Sequence, residues 1–253
     1  MYRFFVGQSQ IDPEQKKISI TGSDVNHIKN VLRMKNGEEV LISDGECFEY
    51  ICRIDEMNQG EIRLSITGRK EADRELPSRI YLFQGLPKSD KMELIIQKAV
   101  ELGVYEIIPV DMKRTVVKFD GKKQEVKLQR WQGISESAAK QSKRIVVPQI
   151  HPVMKFSEAL KYAENLDVRL MPYELAENMQ YTRKILGEIQ PGHSIGIFIG
   201  PEGGFAPEEV EAALQSQVQS ITLGKRILRT ETAGITVLSI LMFLMEDKKT
   251  VER

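Results

Sequence analysis

Two glycine-containing turns hold the residues of this 253-residue chain whose types and spacing could do chemistry. The first is Ile199-Gly200-Pro201-Glu202-Gly203-Gly204-Phe205, followed by Ala206-Pro207-Glu208-Glu209. Its glycines permit positive φ and a close approach of backbone to a ligand. Pro207 suits a first helical turn, and Glu208 and Glu209 complement the helix dipole. The turn is not G-x-G-x-x-G, no G-x-x-x-x-G-K-[ST] occurs anywhere, and Glu202 would repel a phosphate. A ligand with a cationic centre and an adenine-like plane suits it better than a nucleoside triphosphate. On these residues alone a purely structural turn stays open.

The second stretch is Leu223-Gly224-Lys225-Arg226-Ile227-Leu228-Arg229-Thr230-Glu231-Thr232-Ala233, with three cations within five residues. Thr230 is expected to cap a helix that carries Glu231 in its first turn and is buried along Ile235 to Met245. A guanidinium donates in fork geometry to a developing oxyanion and stays charged, which makes Arg229 the candidate for such work. A solvated basic turn before a core helix stays equally open. His27, His151 and His193 are scattered, so no triad or metal site is expected. Cys47 and Cys52 lack a C-x-x-C spacing and suggest neither a disulfide framework nor zinc. Trp131 sits in a helical segment and is expected in the core.

These turns need strands and helices to hold them. Up to about residue 70, short alternating runs predict strands at Tyr2–Val6, Lys17–Thr21, Glu39–Ser43, Phe48–Ile54 and Glu61–Thr67. One helix is expected after Ser23 or Asp24, through Val25, Ile28, Val31 and Leu32. Gly68 to Ser78 reads as a charged linker. Beyond it, apolar runs alternate with helical segments, the pattern of a parallel α/β sheet. Strands are expected at Ile80–Gln84, Ile107–Val110, Val168–Met171, Ser194–Ile199 and Ser220–Leu223, with helices at Lys91–Leu102 and about 124–142. Both glycine turns then fall at the carboxyl ends of strands, where open α/β sheets hold ligands.

With 36 basic and 36 acidic residues the net charge is zero, which excludes an overall polycation or an acidic tail protein. The balance is uneven locally: Lys88 to Arg144 holds thirteen Lys and Arg against eight Asp and Glu. That patch could meet RNA phosphates, although charge runs are commonly just solvated surface. The longest apolar run, Ile235 to Met245, is eleven residues, too short to cross a membrane. The start of the chain has no signal-type apolar core, so a cytoplasmic protein is expected.

Taken in order, the two turns resemble one family, the 16S rRNA (uracil-N3)-methyltransferases of the SPOUT class. Arg3-Phe4-Phe5, His27 with Val31-Leu32-Arg33, Asp44-Gly45, Gln97-Lys98-Ala99 with Glu101-Leu102-Gly103, and Gln141-Ser142 with Arg144 extend the resemblance along the chain. It implies a small PUA-like β-barrel over residues 1–72, which binds RNA. It also implies a SPOUT α/β domain with a deep trefoil knot over 76–253, a homodimer, and methylation of N3 of a uridine in 16S rRNA of the small (30S) ribosomal subunit. S-adenosylmethionine is the implied cofactor, with Leu170, Met171, Pro172, Ile199, Gly200, Pro201, Glu202, Gly203, Gly204, Leu223, Gly224, Ile227, Leu228 and Thr232 around it. No metal and no membrane are implied. Arg229 is expected to be catalytic, and Glu231 to orient it or take the imino proton. Arg3, Arg33, Lys88, Arg114, Arg144, Lys225 and Arg226 are the expected RNA contacts. Two other readings are a SPOUT enzyme acting on tRNA or ribose 2′-oxygen, and a non-catalytic RNA-binding protein. The Arg-Phe-Phe and Val-Leu-Arg pieces favour the uracil-N3 group over other SPOUT enzymes, and the intact turns argue against a decayed enzyme.

Overall fold

A computed structural model describes residues 1–71, 73–117, 121–176 and 178–246 and divides them between two compact units. The expected domains also took in residues 72, 118–120, 177 and 247–253, which lie outside the described residues.

The first unit comprises residues 1–75 and 139–147. Its elements are β1 (Tyr2–Phe5), β2 (Ile11–Asp12), β3 (Lys17–Thr21), α1 (Ser23–Asn26), β4 (Glu39–Ser43), β5 (Phe48–Met57) and β6 (Glu61–Glu71). Six strands form one sheet in the order β1-β4-β5-β6-β3-β2. Alternation drives it: Ile18 and Ile20 of β3, Val40 and Ile42 of β4, and Ile62 and Leu64 of β6 point into one core with Phe4 and Ile54. Asp44 makes the β4–β5 turn, its Oδ1 accepting N–H bonds from Glu46, Cys47 and Phe48 at 2.9–3.0 Å.

Three expectations are corrected in this unit. The charged stretch after Thr67 begins as strand, because Gly68 to Glu71 pairs with Phe48 to Ile51, and ladder hydrogen bonds need no apolar side chains. The expected helix lasts four residues, then widens into a π-turn stretch over His27–Val31; Gly22 precedes it, and neither Ser23 nor Asp24 caps it. Residues 139–147, expected in the second domain, group with the first: Ser43 Oγ donates to the Ile145 carbonyl at 2.8 Å.

The second unit comprises residues 76–138 and 148–246 of the described chain. It runs β7 (Arg79–Gly85), α2 (Lys91–Glu101), β8 (Glu106–Asp111), α3 (Gly121–Ser142, its last four residues grouped with the first unit), β9 (Gln149–Ile150), β10 (Met154–Lys155), α4 (Phe156–Ala163), β11 (Val168–Pro172), α5 (Met179–Glu188), β12 (Ser194–Ile199), α6 (Pro207–Gln215), β13 (Gln219–Ile221) and α7 (Thr230–Met245). The sheet order is β10-β8-β7-β12-β11-β13, with β9 beside β8, and every recorded pairing is parallel. Such strands are covered on both faces, which explains unbroken apolar runs such as Ile195 to Ile199. Phe83 and Phe198 stack at 4.4 Å across β7 and β12. Trp131 is buried, as expected. Among the described residues no helix is long and apolar enough to cross a membrane.

Candidate active site

A cavity of about 450 Å³ opens at the carboxyl ends of β11, β12 and β13. Pro172 ends β11 and Tyr173 and Glu174 follow it; Ile199 ends β12 and the run from Gly200 to Phe205 follows it; the run from Thr222 to Thr230 follows β13. The β12 loop shows why glycine recurs. Gly204 has φ +67°, and a Cβ on Gly200 would stand 3.2 Å from the Gly204 carbonyl carbon. Backbone packed that closely leaves little room for a side chain at Gly200. The β13 loop begins early, because the strand ends at Ile221 and leaves Leu223 in the loop with Gly224 at φ +115°.

Most of the expected cofactor residues line this cavity: Pro172, Ile199, Gly200, Pro201, Glu202, Gly203, Gly204, Leu223, Gly224, Ile227 and Leu228. Three do not. Leu170 and Met171 are fully buried in β11, so they build the floor of the sheet and contact no ligand space. Thr232 is exposed on α7, between the lining residues Thr230 and Ala233. Lys91, Tyr173, Glu174, Phe205, Thr222, Thr230 and Ala233 line the cavity without having been expected there; Tyr173 and Glu174 directly follow Pro172, so the carboxyl end of β11 was the available signal.

Thr230 does not cap α7. Its hydroxyl donates to the Gly200 carbonyl at 2.6 Å and accepts from Gln84 Nε2 at 2.9 Å, tying the helix start to the β12 loop and to β7. The N-cap position is Arg229, which contributes no side-chain cap. The Arg229 guanidinium lies on the cavity wall, exposed, and makes no ion pair or hydrogen bond among the described residues. Glu231 does not orient Arg229. Its Oε2 stands 3.3 Å from Lys91 Nζ, which also stands 3.3 Å from Glu202 Oε1. The Lys88 backbone N–H donates to the same Glu202 oxygen at 3.0 Å. Burial works to raise the Glu202 carboxyl, but these backbone N–H groups and Lys91 outweigh it and hold the group below its ordinary range.

The expected RNA contacts divide. Arg33, Lys88, Arg114, Lys225 and Arg226 are exposed, and Arg114 also donates to the Gly203 carbonyl at 2.9 Å. Arg3 and Arg144 are 8% and 4% exposed and engaged inside the first unit. Arg3 pairs with buried Glu49 and donates to the Arg144 carbonyl at 3.0 Å, while Arg144 pairs with Glu75. Their guanidiniums are spent on structure and have none of the exposure that a phosphate contact requires. Among the described residues no cluster of His, Cys, Asp and Glu could hold a metal ion.

The cavity stands at the carboxyl ends of a parallel α/β sheet, where open α/β folds hold ligands, and residues 74–242 match the family of RNA methyltransferase domains. Residues 20–67 match the RNA methyltransferase PUA domain. The chain is 36% identical over 251 residues to ribosomal RNA small subunit methyltransferase E of Bacillus subtilis, covering 97% of this chain and 98% of that protein. It is 38% identical to the protein of that name from Mesomycoplasma hyopneumoniae, over 94% of this chain and 98% of the relative. The crystal structure of ribosomal RNA small subunit methyltransferase E from Neisseria gonorrhoeae bound to S-adenosyl methionine superposes with a TM-score of 0.81 at 32% identity, over 96% of this chain and 98% of that one. The chain belongs to the ribosomal RNA small subunit methyltransferase E family.

Proposed function

We propose that the protein is an S-adenosylmethionine-dependent methyltransferase acting on N3 of a uridine in 16S rRNA. The observation that carries this reading is the Arg229 guanidinium, on the wall of the cavity and with no partner among the described residues. The cavity fits the cofactor. Its volume lies in the range of small-molecule sites, Ile199, Leu223, Leu228 and Phe205 offer apolar contact, and Glu174 and Glu202 offer charge to a cationic ligand. Residues 199–205 and 222–228 would hold the cofactor, which supplies an electrophilic methyl group when bound.

N3 of uridine becomes nucleophilic by losing its imino proton, and negative charge then spreads onto the uracil oxygens. Arg229 donates to one of these oxygens and stabilises that charge. Glu231, two positions further on, takes the imino proton directly or through water; its side chain is half-buried, and its Oε2, shielded from solvent, has the Lys91 ammonium 3.3 Å away. Arg33, Lys88, Arg114, Lys225 and Arg226 meet phosphates, and the first unit grips RNA as a PUA domain does.

The same reading includes a trefoil knot in the second unit, supported by convergence on one cavity of the loops after β11, β12 and β13. It includes a homodimer, supported by α7, whose Phe243 is exposed on an otherwise apolar helix. A cytoplasmic location follows from a ribosomal substrate. The test is to incubate the protein with labelled S-adenosylmethionine and unmethylated 16S rRNA or 30S particles and to identify the product nucleoside. Label in 3-methyluridine is expected. Label on ribose would point to another SPOUT activity, and binding without label to a non-catalytic RNA-binding protein.

A further inference from the structure

Lys91 occupies a place its own helix disfavours. It is the first residue of α2, where unsatisfied N–H groups and the helix dipole repel a cation. What holds it there is a pair of carboxylates from two different walls of the site: Glu202 of the β12 loop and Glu231 of the first turn of α7, each 3.3 Å away. The three side chains are 28%, 27% and 16% exposed, so their charges are only partly screened. Burial alone would lower the Lys91 ammonium, yet the two carboxylates more than offset it and hold it above its ordinary value. The loop before α2 is shaped for the same contact. Ser89 takes the left-handed conformation, φ +57°, beside Lys88, whose N–H reaches Glu202. Thr230 donating to Gly200 joins the same two walls a second time.

We infer that Lys91 is a positioning residue for methyl transfer, its ammonium clamping the β12 cofactor loop to the start of α7 and fixing the Glu231 carboxylate, two positions along the chain from Arg229. The inference rests on the functional reading above for its kinetic consequence, though not for the clamp itself. Without the ammonium, two carboxylates would face each other across the site, and the loop and helix would part. A small displacement of groups that act on the reacting atoms costs on the order of tenfold to a hundredfold in rate.

The test uses Lys91→Met, Lys91→Arg and, as a charge-loss control on the same helix, Lys98→Met. Lys91→Met is expected to lower kcat about 10- to 100-fold while the Kd for S-adenosylmethionine changes less than about threefold. Lys91→Arg is expected to recover most of the rate, and Lys98→Met to change nothing. Adding Lys91→Met to Glu231→Gln is expected to cause little further loss, since both break one unit. A readout independent of activity is amide hydrogen exchange over 200–205, expected to quicken in Lys91→Met. If Lys91→Met does not fold, Glu202→Gln breaks one arm of the clamp and is expected to quicken the same amides. Quickened exchange in a protein whose wild type makes no methylated uridine would keep the clamp and sink the functional reading. An unchanged kcat with unchanged exchange, equal loss of kcat and cofactor affinity, no rescue by arginine, or additive losses with Glu231→Gln would each overturn the inference.

Discussion

Two arginines of the first unit and one of the second stand in opposite circumstances. In the first unit Arg3 and Arg144 are buried, and each guanidinium is answered by a carboxylate, Glu49 and Glu75. Lys70 supplies a second cation to Glu49 at 2.8 Å, across the β5–β6 ladder. In the second unit Arg229 is exposed on a cavity wall, with no described partner. The residue type is the same, and what differs is whether the charge is already satisfied. A paired, buried guanidinium holds a fold together and has nothing left to offer a ligand. An unpaired one keeps its donors for an oxyanion that forms only during reaction, where stabilisation accelerates the step.

That contrast breaks if the buried arginines prove dispensable. Arg3→Ala leaves Glu49 buried with one of its two cations, and removing one partner of such a pair costs about 3–5 kcal/mol. Urea unfolding monitored in the first unit should show that loss, with affinity for S-adenosylmethionine unchanged within about twofold. A stability close to wild type, together with weakened RNA binding, would return Arg3 to the RNA surface.

A smaller effect separates backbone shape from side-chain charge in the second unit. A Cβ on Gly85 would stand 2.6 Å from Pro201 N and 2.7 Å from its Cδ, so Gly85→Ala must push the β12 loop. Overpacking of this kind costs about 1–3 kcal/mol, read by calorimetry as roughly a tenfold to hundredfold loss of cofactor affinity. Gly133→Ala, where a Cβ meets nothing within 4 Å, should leave the affinity unchanged.

The smallest effect is electrostatic. The folded Glu202 carboxyl is held below its ordinary value, so its contribution to stability is complete above that value and fades as pH falls through the folded one. The Tm advantage of wild type over Glu202→Gln should therefore be present at pH 7 and shrink below about pH 4.3. An advantage that grew on acidification would reverse the assigned sign.

Local patterns in the sequence reached a good part of this structure. Strands Lys17–Thr21, Glu39–Ser43 and Ser194–Ile199 have the expected bounds, because alternation and buried apolar runs report on neighbours along the chain. The two glycine turns lie where strand ends predicted them. Pairing across long separations left no such trace. The Arg3 bond to the Arg144 carbonyl spans 141 positions, and without it both arginines read as surface cations. Thr230 had the right type for a cap, but the Gly200 carbonyl, thirty positions earlier, accepts its hydroxyl hydrogen bond. Lys91 carried no motif at all, since only folding brings Glu202 and Glu231 to it. Strands of two residues, β9 and β10, are too short for any periodicity to mark.

The most direct test of the central claim, that the unpaired Arg229 stabilises charge on the uracil during methyl transfer, is a single-turnover assay of Arg229→Ala. Saturating S-adenosylmethionine and unmethylated 30S particles would be used, with cofactor affinity measured on the same sample. Loss of one donor to a developing oxyanion predicts a rate about 100- to 1000-fold below wild type, with Kd for the cofactor within about threefold. A rate near wild type, or a rate loss matched by an equal loss of cofactor affinity, would contradict it.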